Sequence, residues 1–211
     1  MMLFNFRKRK EGFTLIETIV SVALVGILVC ATITIFKSQA IFTYRTGELS
    51  EMQDNLRTAS YWLTKDIREA TKVLQLVIDS DKEGPEPKEN NALVFEVRGQ
   101  KIAYFYGSDS MKNTFYRATD YNLDQKKVPK GNFQPLTNEY TFGGKSKGYV
   151  RGWLVKYFSY DSNGNKVEVT NPNYKDEVRI VTFTLYGSYG DKPDDFKPFS
   201  SSAFIRSLAT P

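Results

Sequence analysis

The segment Arg7-Lys8-Arg9-Lys10-Glu11-Gly12-Phe13-Thr14-Leu15-Ile16-Glu17 decides how the rest of the chain is read. A basic stretch ends at Gly12, and an apolar run of 24 residues, Phe13 to Phe36, comes at once with one charge in it, Glu17. Wound as a helix, such a run reaches about 36 Å, enough to cross a hydrocarbon core of about 30 Å. An ionisable side chain inside it costs about 2.5 to 3.5 kcal/mol on insertion scales. Glu17 therefore needs a partner, in this chain or in another.

Three common explanations fail. A secretory signal has an apolar core of about 7 to 15 residues and a small-residue cleavage site; this core is longer, and Lys37-Ser38-Gln39-Ala40 does not supply one. A lipoprotein signal would use Cys30, but Val29 is bulky where a small residue is needed. A plain anchor with its basic flank in the cytoplasm satisfies the positive-inside rule. It leaves both Glu17 and the Gly12-Phe13 junction without a purpose.

Gly12-Phe13-Thr14-Leu15-Ile16-Glu17 resembles the processing site of type IV prepilins and type II secretion pseudopilins. The resemblance implies that prepilin peptidase cuts between Gly12 and Phe13 on the cytoplasmic side and methylates the new amino terminus at Phe13. It also implies that Glu17 meets the terminal amine of a neighbouring subunit during assembly. The physics is consistent: lipid favours the neutral carboxyl, and a nearby cation restores the charged form. Within one helix Glu17 lies about one turn from Phe13, so self-pairing competes with a neighbour's amine.

Composition works by exclusion. With no histidine and one cysteine, histidine-based catalysis, the usual zinc sites and an intrachain disulfide are unavailable. Cys30 reads as a small apolar residue in lipid. The disulfide loop common near the carboxy terminus of Gram-negative pilins is ruled out as well. No cofactor is expected. The sequence pI of about 9.1 suggests a polyanion partner, but residues 1–12 carry four basic residues and one acid, +3 of the formal +5. The remainder of the chain is close to balanced, a weak field. A nucleic-acid surface would need a local patch such as Lys126, Lys127, Lys130, Lys145, Lys147 and Arg151, which reads more simply as a solvated loop.

Beyond the apolar run, Leu49, Met52, Leu56, Ala59, Leu63, Ile67 and Ala70 recur at three- and four-residue spacing, the stripe of an amphipathic helix. One helix of roughly 58 residues is predicted from Phe13 to Ala70, with Gly47 a weak point inside it. Glu51, Gln53, Asp54, Arg57, Lys65, Asp66, Arg68 and Glu69 are expected to face solvent or a neighbouring subunit. Strands are then predicted at 73–78, 92–97, 101–106, 114–118, 150–160, 166–170, 177–186 and 201–208. Arg98-Gly99-Gln100 and Asp161-Ser162-Asn163-Gly164-Asn165 are read as turns between neighbours. The segment 120–147 is polar and has no clear period.

The expected fold is α+β and pilin-like: a leader at 1–12, a transmembrane half-helix at 13–36, an amphipathic half at 37–71, and a β-rich extracytoplasmic domain at 72–211 joined to it. The words Gln53-Asp54-Asn55-Leu56-Arg57, Lys65-Asp66-Ile67-Arg68-Glu69-Ala70 and Thr114-Phe115-Tyr116-Arg117 resemble those of J-type minor pseudopilins and related minor pilins. The Asp161–Asn165 stretch looks like the start of a calcium loop but has Lys166 and Pro172 at positions six and twelve, where such a loop needs glycine and glutamate. Tyr104, Tyr106, Tyr116 and Tyr157 are candidates either for a binding face or for core. The acidic 191–195 cluster reads as a solvated loop.

The functional expectation is a minor pilin or pseudopilin rather than an enzyme. It would be a single-pass protein of the cytoplasmic membrane until assembly into a pilus or secretion-type filament, with prepilin peptidase, other pilin subunits and membrane lipid as partners. A non-assembling, single-pass surface binding protein is the alternative.

Overall fold

The computed structural model describes residues 14–77, 92–107, 114–121, 133–142, 145–190 and 196–206. The leader, Gly12 and Phe13 lie outside them. So do Ile78, the 79–91 turn region and the acidic 191–195 cluster. The arrangement is α+β and pilin-like: a long apolar amino-terminal helix followed by antiparallel sheets. Helix α1 spans Leu15–Glu69 and passes through Gly47, and two compact units divide between Thr46 and Gly47.

In the first unit every described residue is exposed. Leu15, Ile16, Ile19, Val22 and Ile27 stand at 61 to 78% exposure. The hydroxyls of Thr18, Ser21, Thr32 and Thr34 donate to backbone carbonyls three or four residues back, at 2.7 to 2.9 Å. A helix in hydrocarbon must satisfy its polar groups internally, and these do.

In the second unit the predicted stripe is the core side of α1. Met52, Leu56, Ala59, Leu63 and Ile67 are at most 4% exposed, and Leu49 packs against them. The helix yields directly to β1 (Ala70–Gln75), which pairs with β2 (Leu93–Val97) from Ala70 onward. Strand pairing with Val97 thus takes Ala70 out of the helix and starts the strand three residues before the predicted Val73. Strand β3 (Gln100–Tyr106) comes after β2 through a turn of two residues, because Arg98 (φ 51°) and Gly99 (φ 78°) both adopt left-handed backbone and Gln100 pairs with Val97. That matches the sense of twist a tight hairpin requires. Strands β4 (Phe115–Thr119) and β5 (Phe133–Pro135) complete a five-stranded sheet in the order β1-β2-β3-β4-β5.

Strands β6 (Glu139–Phe142) and β7 (Lys145–Gly148) form a small hairpin in the region that showed no period. A second sheet has the order β11-β10-β8-β9, from β8 (Val150–Tyr160), β9 (Lys166–Glu168), β10 (Ile180–Gly187) and β11 (Lys197–Phe204). The predicted strand at 177–186 starts later because Asn171 accepts from Asn173 N–H (2.9 Å) and Pro172 opens a 3₁₀ turn through Glu177. Along β10, Val181, Phe183 and Leu185 are fully buried while Thr182 and Thr184 are only partly so, the period of a half-buried strand. Gly187 is where β10 meets α1: a Cβ there would sit 2.8 Å from Leu56 Cδ1 and Met52 Sδ.

Asp66 departs from expectation. It is 2% exposed, not solvent-facing. Its Oδ2 accepts from the Tyr104 hydroxyl at 2.5 Å and from Arg117 Nε at 2.7 Å, so α1 is tied to β3 and β4 at one atom. Trp62 flanks Arg117, whose guanidinium lies 5.2 Å from the indole. The tyrosine candidates for a binding face are core: Tyr104, Tyr106, Tyr116 and Tyr157 are 6% exposed or less. The Tyr157 hydroxyl accepts from Val77 N–H at 2.8 Å, joining β8 to the segment after β1.

Arg117→Met strands a buried carboxylate and should cost about 3 to 5 kcal/mol, read as a lowered denaturation midpoint; an unchanged midpoint would show the ion pair to be dispensable. Burial, reinforced by the Asp66 charge, raises the Tyr104 hydroxyl well above its ordinary range, and burial also raises Tyr157. Folding therefore favours the neutral phenols, a contribution complete below about pH 10 and lost as pH climbs further. Alkaline titration should show these two rings ionising only together with unfolding, and Tyr157→Phe should remove part of the alkaline sensitivity.

Candidate functional site

The start of α1 is organised by two side chains. Thr14 sits at the cap and Glu17 three positions on, at the third helical residue. Thr14 N–H and Thr14 Oγ1 both donate to Glu17 Oε2, at 2.9 and 3.0 Å, and Glu17 N–H donates back to Thr14 Oγ1 at 3.3 Å. Thr18 N–H closes the first turn onto the Thr14 carbonyl at 3.2 Å. This is a capping box, which satisfies two of the amides a helix start leaves open. The dipole at that end adds a further attraction for the carboxylate.

The lone acid in the apolar run thus has a partner in its own chain. Both donors use Oε2; among the described residues nothing donates to Oε1. Glu17 can hold the cap and still offer an oxygen to an incoming cation. Thr14 is the residue sequence reasoning passed over, although Thr-x-x-Glu before an apolar run is itself a helix-start signal. The cleavage and methylation positions, Gly12 and Phe13, lie outside the described residues.

From Leu15 to Phe36 the helix rises roughly 33 Å, the thickness of a bilayer core. It is the one helix among the described residues long and apolar enough to span a membrane. Cys30 is exposed on it.

Of the other candidates, the basic patch cannot be placed in the fold. Lys126, Lys127 and Lys130 lie outside the described residues, as do the side chains of Lys145, Lys147 and Arg151. Asp161 is used by its own turn: Oδ1 accepts from Asn163 N–H and Asn165 N–H at 2.8 Å, and Oδ2 from Asn165 Nδ2 at 3.1 Å. Gly164, at φ 80°, closes that turn into β9. No group of three metal-ligating side chains occurs among the described residues.

Thr14→Val removes the cap hydroxyl and should destabilise the first turn by about 1 kcal/mol, seen as faster hydrogen exchange at residues 15–18 with exchange in β10 unchanged. Equal protection in both proteins would mean the box is not what holds the helix start.

Residues 7–31 match the model of the prokaryotic N-terminal methylation motif. No curated protein and no solved structure matches the chain. The motif implies processing by prepilin peptidase and assembly with pilin subunits, and with the apolar helix it fits a single-pass protein anchored in the inner membrane. The amino-terminal segment is thus similar to that of type IV prepilin-like proteins.

Proposed function

We propose that this chain is a minor pilin or pseudopilin, a structural subunit rather than an enzyme, cleaved between Gly12 and Phe13 and methylated at Phe13. The supporting observation is the helix start: a carboxylate at the head of the apolar half of α1, held by Thr14 through one oxygen and, among the described residues, open at the other. Cleavage would place an amine one residue before that cap. Glu17 of one subunit then accepts the Phe13 amine of its neighbour, and the depth of the pair in the membrane fixes the axial offset between subunits.

A scarce position, at the tip or in the initiating complex, suits the bulk of residues 37–211. The J-type minor pseudopilins are the subgroup whose words the sequence shares. Two of those words contain Asp66 and Arg117, which the fold pairs.

Mass spectrometry of the protein purified from cells with working pilus machinery should find methylated Phe13 as the first residue. An intact Met1 would return the chain to the non-assembling surface protein. Glu17→Val should insert into the membrane normally, yet drop out of sheared filaments by at least tenfold; undiminished incorporation would remove the carboxylate from the assembly step.

A further inference from the structure

A cleft runs between the carboxy-terminal part of α1 and strand β11, lined by Arg57, Tyr61, Lys65, Arg68, Phe199 and Arg206 among others. Its two walls differ in chemistry. Among the described residues, strand β11 is the outer edge of its sheet, paired residue for residue with β10 over eight positions and without a bulge. From Pro198 to Phe204 it carries no charge, and Ser200, Ser202 and Phe204 are exposed. Such an edge presents alternate unpaired N–H and C=O groups and is a template for another strand unless something guards it. Lys197 and Pro198 guard only its beginning.

The facing wall is cationic. Arg57, Lys65 and Arg68 belong to α1, and Arg206 lies just past β11. Among the described residues, Arg68 and Arg206 make no ion pair. Lys65 Nζ lies 4.8 Å over the Trp62 ring, and Arg57 reaches Asp54 only at 3.6 Å with both side chains 70% exposed. The acid lining the cleft, Glu69, is held by Arg98 at 2.9 Å. Tyr61 stands between Arg57 and Lys65 at 63% exposure.

We propose that this cleft takes an extended acidic segment of a neighbouring filament subunit, added to β11 as a further strand. Arg57 and Lys65 stand eight residues apart on α1, a rise of about 12 Å, close to the span of about 13 Å between positions four apart on an added strand. Carboxylates at two such positions would each meet a cation of α1, and Arg68, three residues beyond Lys65, adds to the second of them. Main-chain pairing supplies affinity and the cationic wall supplies selection, as in other recognition by strand addition. A single-stranded nucleic acid would satisfy the cations and stack on Tyr61, but it would leave the backbone groups of β11 unused.

The partner's identity rests on the pilin reading, and the binding chemistry does not. The full chain in detergent micelles is titrated with a fluorescent octapeptide of alternating glutamate and threonine. Saturable binding is expected, weakening with salt and at least tenfold weaker in an Arg68→Gln/Arg206→Gln variant. Methylating alternate backbone nitrogens of the peptide should abolish it. The proposal is overturned if the methylated peptide binds as well as its parent, if oligothymidylate of equal charge binds as tightly, or if no saturable binding appears. In cells, a photo-crosslinking residue at Ser202 should capture another methylated pilin subunit. Capture only of proteins lacking the methylation motif overturns the choice of partner. Phe13 methylation, measured in the same cells, separates that outcome from failure of the pilin reading.

Discussion

One carboxylate oxygen, Oδ2 of Asp66, fixes how the carboxy-terminal part of α1 sits on the sheet. Apolar burial drives the helix stripe against the strands, but burial is non-directional and would tolerate a helix shifted along its axis or rolled. A short bond from the Tyr104 hydroxyl and a charge-assisted bond from Arg117 Nε end on the same atom. Together they specify one axial position and one rotation. Tyr104 is fully buried on β3 and Arg117 lies across from it on β4, in register. The pin therefore also checks the pairing of two strands, since a one-residue slip would send either side chain to the other face. Gly187 adds a steric condition at the other sheet, where a Cβ on β10 would push aside the ends of the Met52 and Leu56 side chains.

The same helix carries a second unusual acid, and the contrast explains why the two serve different ends. Asp66 is enclosed by protein and neutralised by a resident arginine, so its interactions are complete within the chain. Glu17 lies in the exposed apolar segment with a cap but no cation of its own among the described residues. Its hydrogen bonds hold it in place without balancing its charge. A completed pair gives architecture; an uncompensated charge gives a demand for a partner.

The sequence was most legible where one physical signal dominated. The apolar run, the three-and-four stripe, the Asn-Gly turn and the period-two pattern of β10 each name one kind of element, and a helix, a turn and a strand occupy most of those residues. The misreadings fall where local and tertiary preferences compete. Ala70 fits the helix stripe, yet pairing with Val97 claims it for β1. Asp66 falls between apolar stripe residues and reads as solvent-facing, because its burial depends on Tyr104 and Arg117, 38 and 51 residues away. Glu177 fits an alternating strand until Asn171 and Pro172 impose a 3₁₀ turn upstream. The Thr14–Glu17 cap was legible in principle, as Thr-x-x-Glu before an apolar run; the prepilin resemblance assigned the glutamate an intermolecular partner instead.

In the proposed assembly, the cap prepares the carboxylate for its partner. An acid reserved wholly for a neighbour would be uncompensated in every unassembled subunit, at a cost of a few kcal/mol in lipid. Capping by Thr14 reduces the cost before assembly by giving the charge local donors and the helix dipole. It also keeps the carboxylate from adopting other rotamers. A neighbour's amine approaching Oε1 then meets an acceptor already oriented, so little side-chain entropy is lost on pairing. The cap and the intermolecular contact need not compete, because they use different oxygens of one group.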